Sequence, residues 1–414
     1  MEKTVTLWIT EGGDSRRLLP LTWLRPAYDL RCGILTLREK ILRAYDQPEY
    51  ALECRPYLAE YLAEQNPDAK VNQLPGGTVL AVNGRVLWNA ELARLIPLEG
   101  PDRYYRCGDE LVAARLSGAN LAAMDPAEQL SSKQLPTVES EEVEATIIKW
   151  TWDLVHHNAG QIIADFPLVA TAGAIEGRVM DGAYLVEKGN ICLAPGSEVR
   201  PGAVLDASGG PIFIDRDATI MSGALIEGPV YVGHKSAIKM GAKIYEGTTI
   251  GEVCKVGGEV AESIVHSYSN KHHDGFLGHA YLGQWVNLGA GTCNSDLKND
   301  YGQVKVMVDG DLVDTGSIFV GAAIGDHTKT GINTILNTGT VLGIGCNIYG
   351  ADFPPKYVPS FSWGGAGGLQ EYRLEKCLQV ARRVMGRRQL DLTAAGEQVI
   401  RRVFQETAAE REGF

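Results

Sequence analysis

From Ile214 onward an aliphatic residue returns at every sixth position: Ile214, Ile220, Ile226, Val232, Ile238, Ile244, Ile250 and Val256. Four positions after each stands a small or slim residue, from Ala218 and Ala224 to Cys254 and Val260. Two further runs keep the step, Phe276–Leu282–Leu288 and Ile318–Ile324–Thr330–Leu336–Leu342–Ile348. Weaker phasing precedes them at Val179, Leu185 and Ile191 and, after a slip of two, at Leu193, Val199 and Leu205. A period of six is neither the helical 3.6 nor the strand period of 2. It predicts a prism-shaped solenoid in which each hexad is one short strand and three hexads close a triangular coil. The aliphatic residue points to the axis and the small residue packs near a corner. Such coils gain stability only by stacking on their neighbours, which a long unbroken run supplies. The phase is interrupted at 266–275 and 293–317. These segments are expected to be loops leaving the prism, and loops on rigid scaffolds carry function disproportionately.

The ends read differently. Residues 1–150 mix strand-like TVTLWI and TVLAVNG with helical patterns near Thr36–Tyr45, Pro56–Gln65 and Asp109–Leu116, a small α/β domain. Residues 136–150 form an acidic connector running into a helix. After the solenoid comes a glycine-rich loop, 364–368, then helix-period stretches near Leu369–Arg387 and Thr393–Glu406. The expected division is an α/β domain over 1–150, a parallel β-helix over 151–350 and a C-terminal helical extension over 351–414.

Composition sharpens this picture. Of 48 glycines, 32 lie between 151 and 350, where turns between flat strands need positive φ without a Cβ. All eight histidines fall between His156 and His327. A net charge of −12 argues against nucleic acid or an anionic membrane as partner, while leaving room for a local basic cluster. The eight cysteines are dispersed, with no CxxC, as expected for free thiols in a reducing cytoplasm. The N-terminus lacks a signal-peptide pattern and no stretch is long and apolar enough for a membrane span, so a cytoplasmic location is expected.

The block 251–306 carries the strings SNKHHDGFLG (269–278), WVNLGA (285–290) and SDLKN (295–299). It resembles the acetyltransferase half of bacterial bifunctional N-acetylglucosamine-1-phosphate uridylyltransferase/glucosamine-1-phosphate N-acetyltransferases. It is similar above all to a divergent branch of sugar nucleotidyltransferases with a left-handed β-helix, as is RPAYDLRCGILTLREK (25–40). The resemblance implies roles residue by residue. The family's general base falls on His273 in HDGFLG (273–278), its glutamate fourteen residues earlier on Glu259, and its asparagine fourteen later on Asn287. The phosphate-binding arginine falls on Lys243, basic but not arginine. Departures are Ala261 where the family has lysine and Phe276 where it has tyrosine. An altered acceptor sugar is expected.

The chemistry also stands by itself. An imidazole titrating near neutrality can deprotonate a sugar amine before it attacks the acetyl-CoA thioester. Asp274 and Glu259 lie close enough in sequence to hold its tautomer. Lysines crowd these segments, and Lys243, Lys271 and Lys305 are candidates for substrate phosphate, joined by Asn287 and Asn294 as substrate contacts. The pairs Ala290–Gly291 and Gly321–Ala322 offer bare backbone for the pantetheine arm.

At the N-terminus, nucleotidyltransferases of the broad family carry a glycine loop that cradles nucleotide phosphates, followed by a Pro-Lys pair. Gly12, Gly13 and Arg16 preserve the shape of the loop, and Arg25 stands beside Pro26 where the pair is expected. Asp109 is the nearest candidate for Mg²⁺. The leading expectation is an acetyl-CoA-dependent N-acetyltransferase on an amino-sugar phosphate, with sugar-1-phosphate nucleotidyl transfer as a second activity. The alternatives are a nucleotidyltransferase whose β-helix only assembles the oligomer, and an inactive scaffold that binds sugar nucleotides. The resemblance further implies a homotrimer whose partners are sugar phosphates and nucleotide sugars.

Overall fold

The computed structural model describes residues 5–122 and 138–413. Among them the N-terminal part forms one sheet in the order β3-β2-β1-β4-β6-β5-β7, built from β1 (Val5–Thr10), β2 (Tyr50–Leu52), β3 (Lys70–Val71), β4 (Thr78–Asn83), β5 (Arg103–Cys107), β6 (Glu110–Ser117) and β7 (Ser140–Glu142). β1 runs parallel to β2 and β4, whereas β6 is antiparallel to β4 and β5. Helices α1 (Leu37–Ala44), α2 (Ala59–Gln65), α3 (Ala90–Leu95) and α4 (Gly118–Ala122) surround it. α1 starts where Thr36 and Glu39 form a capping box. The helical pattern near Asp109–Leu116 is instead strand β6, because a central strand buried on both faces loses its alternation. Part of the connector, 136–137, lies outside the described residues; its remainder runs into α5 (Thr151–His156) and α6 (Asn158–Val169).

The solenoid's first pairing joins Ile175 to Leu193. From there its strands stack into three parallel faces. The first face runs from Ile191–Leu193 to Tyr357–Val358. The second runs from Arg178–Val179 to Ser362–Gly365, and the third from Tyr184–Val186 to Phe276–Gly278. All eight aliphatic residues of the longest hexad run sit in the solenoid core. The last coil lies beyond 350: the glycine-rich 364–368 stretch forms a hairpin, Ser362–Gly365 with Gly368–Glu371, so the helical pattern begins later, at α7 (Leu374–Gly386). α8 (Ala394–Glu406) follows, capped by Thr393. α6 packs on the first face and α7 against the end of the second, while the third keeps apolar side chains such as Tyr184 and Leu225 exposed. No helix of the described residues is long and apolar enough to cross a membrane.

The first expected break is not a loop. Residues 264–278 continue the coil as Ile264–Ser267, Asn270–Lys271 and Phe276–Gly278, with Val265, Lys271 and Leu277 in the inward register. A lysine in an axial position hides the repeat from a hydrophobicity search. Leu277, rather than Phe276, is the inward residue. The second break does leave the prism, as the antiparallel hairpin Lys305–Val308 with Asp311–Asp314. Ile318, counted as a hexad position, is exposed beside it.

Candidate functional site

Each coil turns from the first face to the second through one residue in left-handed backbone. In successive coils these are Val253 (φ 59°), Tyr268 (φ 53°), Trp285 (φ 62°) and His327 (φ 60°). Bulky residues are uncommon in that conformation. The aromatic ones stack into a ladder, Tyr268 on Trp285 at 4.5 Å and Trp285 on His327 at 6.2 Å. Beside this ladder, on the second face, opens a cavity of about 800 Å³. His272, His273, Asn287 and Ala290 line it together with Tyr268 and Trp285. Lysines from the coils and two arginines just past the end of α7 close its other side.

His273 stands exposed at the corner between the second and third faces, its ring 4.8 Å from that of His272. Burial, then Lys239, lowers the pKa of His272. Neither Asp274 nor Glu259 hydrogen-bonds the His273 imidazole in this conformation. What fixes His273 is its backbone, whose carbonyl accepts from Lys271 Nζ at 2.9 Å. That Nζ also donates to the carbonyl of Gly257 at 2.8 Å, and burial pushes the ammonium down to about 8. Lys271 therefore lies inside the prism and is not placed to bind a substrate phosphate.

The other expected residues divide by face. Asn287 is exposed into the cavity, accepting from Asn270 at 3.4 Å. Glu259 and Lys243 face outward on the third face, paired at 3.4 Å one strand apart, around the corner from the cavity. Asn294 is consumed inside the coil, donating to the carbonyl of Gly278 at 2.9 Å and accepting from its N–H at 3.0 Å, so it has no bond to spare for a substrate. Lys305 sits on the hairpin outside the prism, in register with Asp314. Gly291 follows Ala290 but turns the corner in left-handed backbone against Asn333. Gly321 and Ala322 lead into the first face and are not brought to His273. Face, which depends on phase within the coil, separates pairs that look alike as strings.

The N-terminal arginines are engaged elsewhere. Arg16 makes two bonds to Asp309 of the solenoid hairpin, at 2.5 and 2.6 Å, and Arg25 reaches Asp326 at 2.7 Å in a buried pair. Gly12 keeps the positive φ of a phosphate loop (70°), while Gly13 does not. Under the loop Glu11 is fully buried, accepting from the Ala27 amide and from Arg55. Asp109 lies in the exposed β5–β6 turn, and among the described residues no group of three His, Cys, Asp or Glu side chains is arranged to hold a metal ion, so the residues present do not fit a Mg²⁺ site.

One charged cluster has no counterpart in the sequence reading. His279 contacts Asp296 at 2.8 Å and Glu262 at 3.3 Å, and stacks on Phe319 at 5.1 Å. Burial opposes its charge, but the hydrogen bonds to Asp296 and Glu262 outweigh burial and raise it to about 9. The partners are 17 residues apart on either side, one coil away, a distance only coil geometry reveals.

The chain thus joins an α/β sheet with a glycine loop to a hexapeptide solenoid with a histidine-bearing cavity. Residues 7–173 match the family model described as sugar nucleotidyl transferase, ending just before the first coil. A bifunctional sugar-1-phosphate nucleotidylyltransferase/acetyltransferase of Sulfurisphaera tokodaii is 38% identical over 142 residues, covering 34% of this chain and 35% of that protein. The bifunctional protein GlmU of Synechococcus sp. is 28% identical over 164 residues, 39% of this chain and 31% of its own length. The chain thus spans about a third of the length of these relatives. Among solved structures, the UDP-N-acetylglucosamine acyltransferase of Francisella novicida aligns over 56% of this chain and 84% of its own, at 12% identity and a TM-score of 0.31.

Proposed function

We propose that the chain is an acetyl-CoA-dependent N-acetyltransferase acting on an amino-sugar phosphate, with His273 as general base. The observation that carries this reading is the shared cavity of His273, Asn287 and Ala290, with room for a thioester beside a sugar. The His273 imidazole takes the proton of the sugar amine as its nitrogen attacks the acetyl carbonyl. The N–C bond forms, the C–S bond breaks, and the proton leaves with the CoA thiol. Asn287 hydrogen-bonds the amine or the acetyl oxygen, and Lys271 holds the corner that presents the base. Glu259 and Lys243 meet the acceptor from the neighbouring face. Acetyl-CoA turnover with glucosamine-1-phosphate should fall by about 10²–10⁴ in His273→Ala. Turnover unchanged by that substitution would remove the assignment.

A cytoplasmic homotrimer belongs to the same reading, with the uncovered third face as its contact surface: Tyr184 and Leu225 are 63% and 47% exposed there. Light scattering is expected to give three times the 44.8 kDa chain mass; a monomer would contradict it.

The family match over residues 7–173 favours a second reading, sugar-1-phosphate nucleotidyl transfer yielding a nucleotide sugar. The engagement of Arg16 and Arg25 by solenoid carboxylates weighs against it. Pyrophosphate released from UTP or dTTP with a sugar-1-phosphate, and lost in Arg16→Ala, would establish it. A chain with neither turnover would be the sugar-nucleotide-binding scaffold.

A further inference from the structure

Four cations line the cavity beside His273, Lys255 and Lys329 from the coils and Arg387 and Arg388 from beyond α7. Among the described residues no aspartate or glutamate lines it, and none of the four forms an ion pair with one. Among the described residues single cations without a carboxylate partner are common, Arg94, Lys188 and Lys356 among them, but here several share one cavity that has no counter-charge. Like charges gathered without a counter-charge repel, and the arrangement is favourable only when an anion completes it. The crowding is visible on Lys255, whose ammonium is lowered by burial and then by Arg388, Lys239 and Arg387.

The arginines are brought there by design of the chain rather than by the coil. Cys377 and Leu378 of α7 pack on Ile344 and Phe361 at the end of the solenoid, and this seats the helix so that its C-terminus reaches the cavity. Arg388 spends one nitrogen on Asn270 Oδ1 at 3.4 Å, and Lys329 one hydrogen on the carbonyl of His327 at 2.8 Å. The remaining guanidinium and ammonium donors have no acceptor among the described residues.

We propose that this cavity binds a ligand carrying two or more phosphoryl groups, gripped by Lys255 of the solenoid and by Arg387 and Arg388 of the helical extension, with Lys329 three strands further along the same face. A single phosphate monoester brings at most two negative charges, fewer than the three cations Lys255, Arg387 and Arg388 call for. The Tyr268–Trp285 wall provides an apolar surface for the organic part of such a ligand. The inference deepens the acetyl-transfer reading and rests on it only for the identity of the donor. The phosphoryl groups come from the CoA end of the donor, with the acceptor's phosphate as the other source of the same chemistry.

The test is calorimetric titration of the full chain with CoA, 3′-dephospho-CoA, glucosamine-1-phosphate and inorganic phosphate, in wild type and in the double variant Arg387→Ala/Arg388→Ala. CoA binding is expected to weaken tenfold or more in the variant, to fall steeply with salt, and to recover largely in Arg387→Lys/Arg388→Lys. A smaller loss for 3′-dephospho-CoA assigns the cluster to the donor, whereas a loss confined to glucosamine-1-phosphate assigns it to the acceptor and overturns the polyphosphoryl claim. Unchanged binding of every ligand in the variant, in protein whose thermal melt matches wild type, also overturns it, as does absence of CoA binding to wild type. His273→Ala is expected to retain CoA binding. Wild-type chain that binds CoA through the cluster yet transfers no acetyl group, or a His273→Ala variant with unchanged turnover, therefore fails the acetyl-transfer reading alone, and normal turnover with unaffected binding in the arginine variant fails this inference alone.

Discussion

Lys271 has its methylene stem in the axis of the prism and its ammonium on two main-chain carbonyls, those of Gly257 and His273. Replacing it by methionine keeps the volume and leaves both carbonyls without their donor, at about 1–3 kcal/mol. Lys271→Met is therefore expected to lower the melting temperature and to reduce kcat for acetyl transfer while leaving the KM for acetyl-CoA within about twofold; a KM effect alone would return Lys271 to the phosphate. His279 carries the opposite perturbation. Its folded-state pKa, about 9, lies above its ordinary 6.5. Its protonation therefore stabilises the fold fully below about 6.5, and that contribution is lost as pH rises through about 9. Denaturant unfolding across this range should show stability falling with pH, and Asp296→Asn should flatten the slope. A slope unaltered by Asp296→Asn would place the titration elsewhere.

At the scale of the element, the corners of the coil hold more information than its strands. The strand positions repeat with little variation, while the corners accept glycine, asparagine or, in the ladder, aromatic rings. Gly275 shows what a corner requires: φ is 127°, and a Cβ there would lie 2.1 Å from the carbonyl oxygen of Thr292 in the next coil. Gly275→Ala is expected to cost at least about 2 kcal/mol, measured by chemical denaturation, because neither partner is a flexible side chain. It also displaces the corner carrying His273, so activity should fall with stability. The hexad runs made the solenoid legible, since one phase held over eight strands has no other simple source. Lys271 was opaque for the converse reason: an inward lysine looks like an interruption when hydrophobicity is the only signal. β6 was misread because burial on both faces erased its period.

At the scale of the whole molecule, the N-terminal sheet and the solenoid are joined by ion pairs across long sequence separations. Arg25 and Asp326 are both buried, at 9% and 1% side-chain exposure, and Asp326 also accepts from the Gln284 amide at 2.6 Å. Arg25→Ala leaves that carboxylate buried and unpaired, with an expected loss of about 3–5 kcal/mol in thermal or denaturant unfolding. A double variant, Arg25→Met/Asp326→Leu, should recover part of the loss, which a nucleotide-binding role for Arg25 would not predict. Arg16 and Asp309, by contrast, are largely exposed, and Asp309→Ala is expected to change stability by less than about 1 kcal/mol. That variant frees Arg16 and provides the cleanest test of latent nucleotidyl transfer.

The sequence by itself determined the solenoid and the general order of its parts, because six-residue periodicity is a local property of the chain. It did not determine which face a residue would occupy. Two pairs as similar as Ala290–Gly291 and Gly321–Ala322 end on different faces of the prism. Nor could it reveal that Arg16 and Arg25 would be spent on Asp309 and Asp326, about 300 residues away. The gathering of Arg387 and Arg388 beside Lys255 and Lys329 belongs to tertiary structure for the same reason. Charge pairing acts through space, and only the docking of α7 on the last coils brings those cations to one cavity.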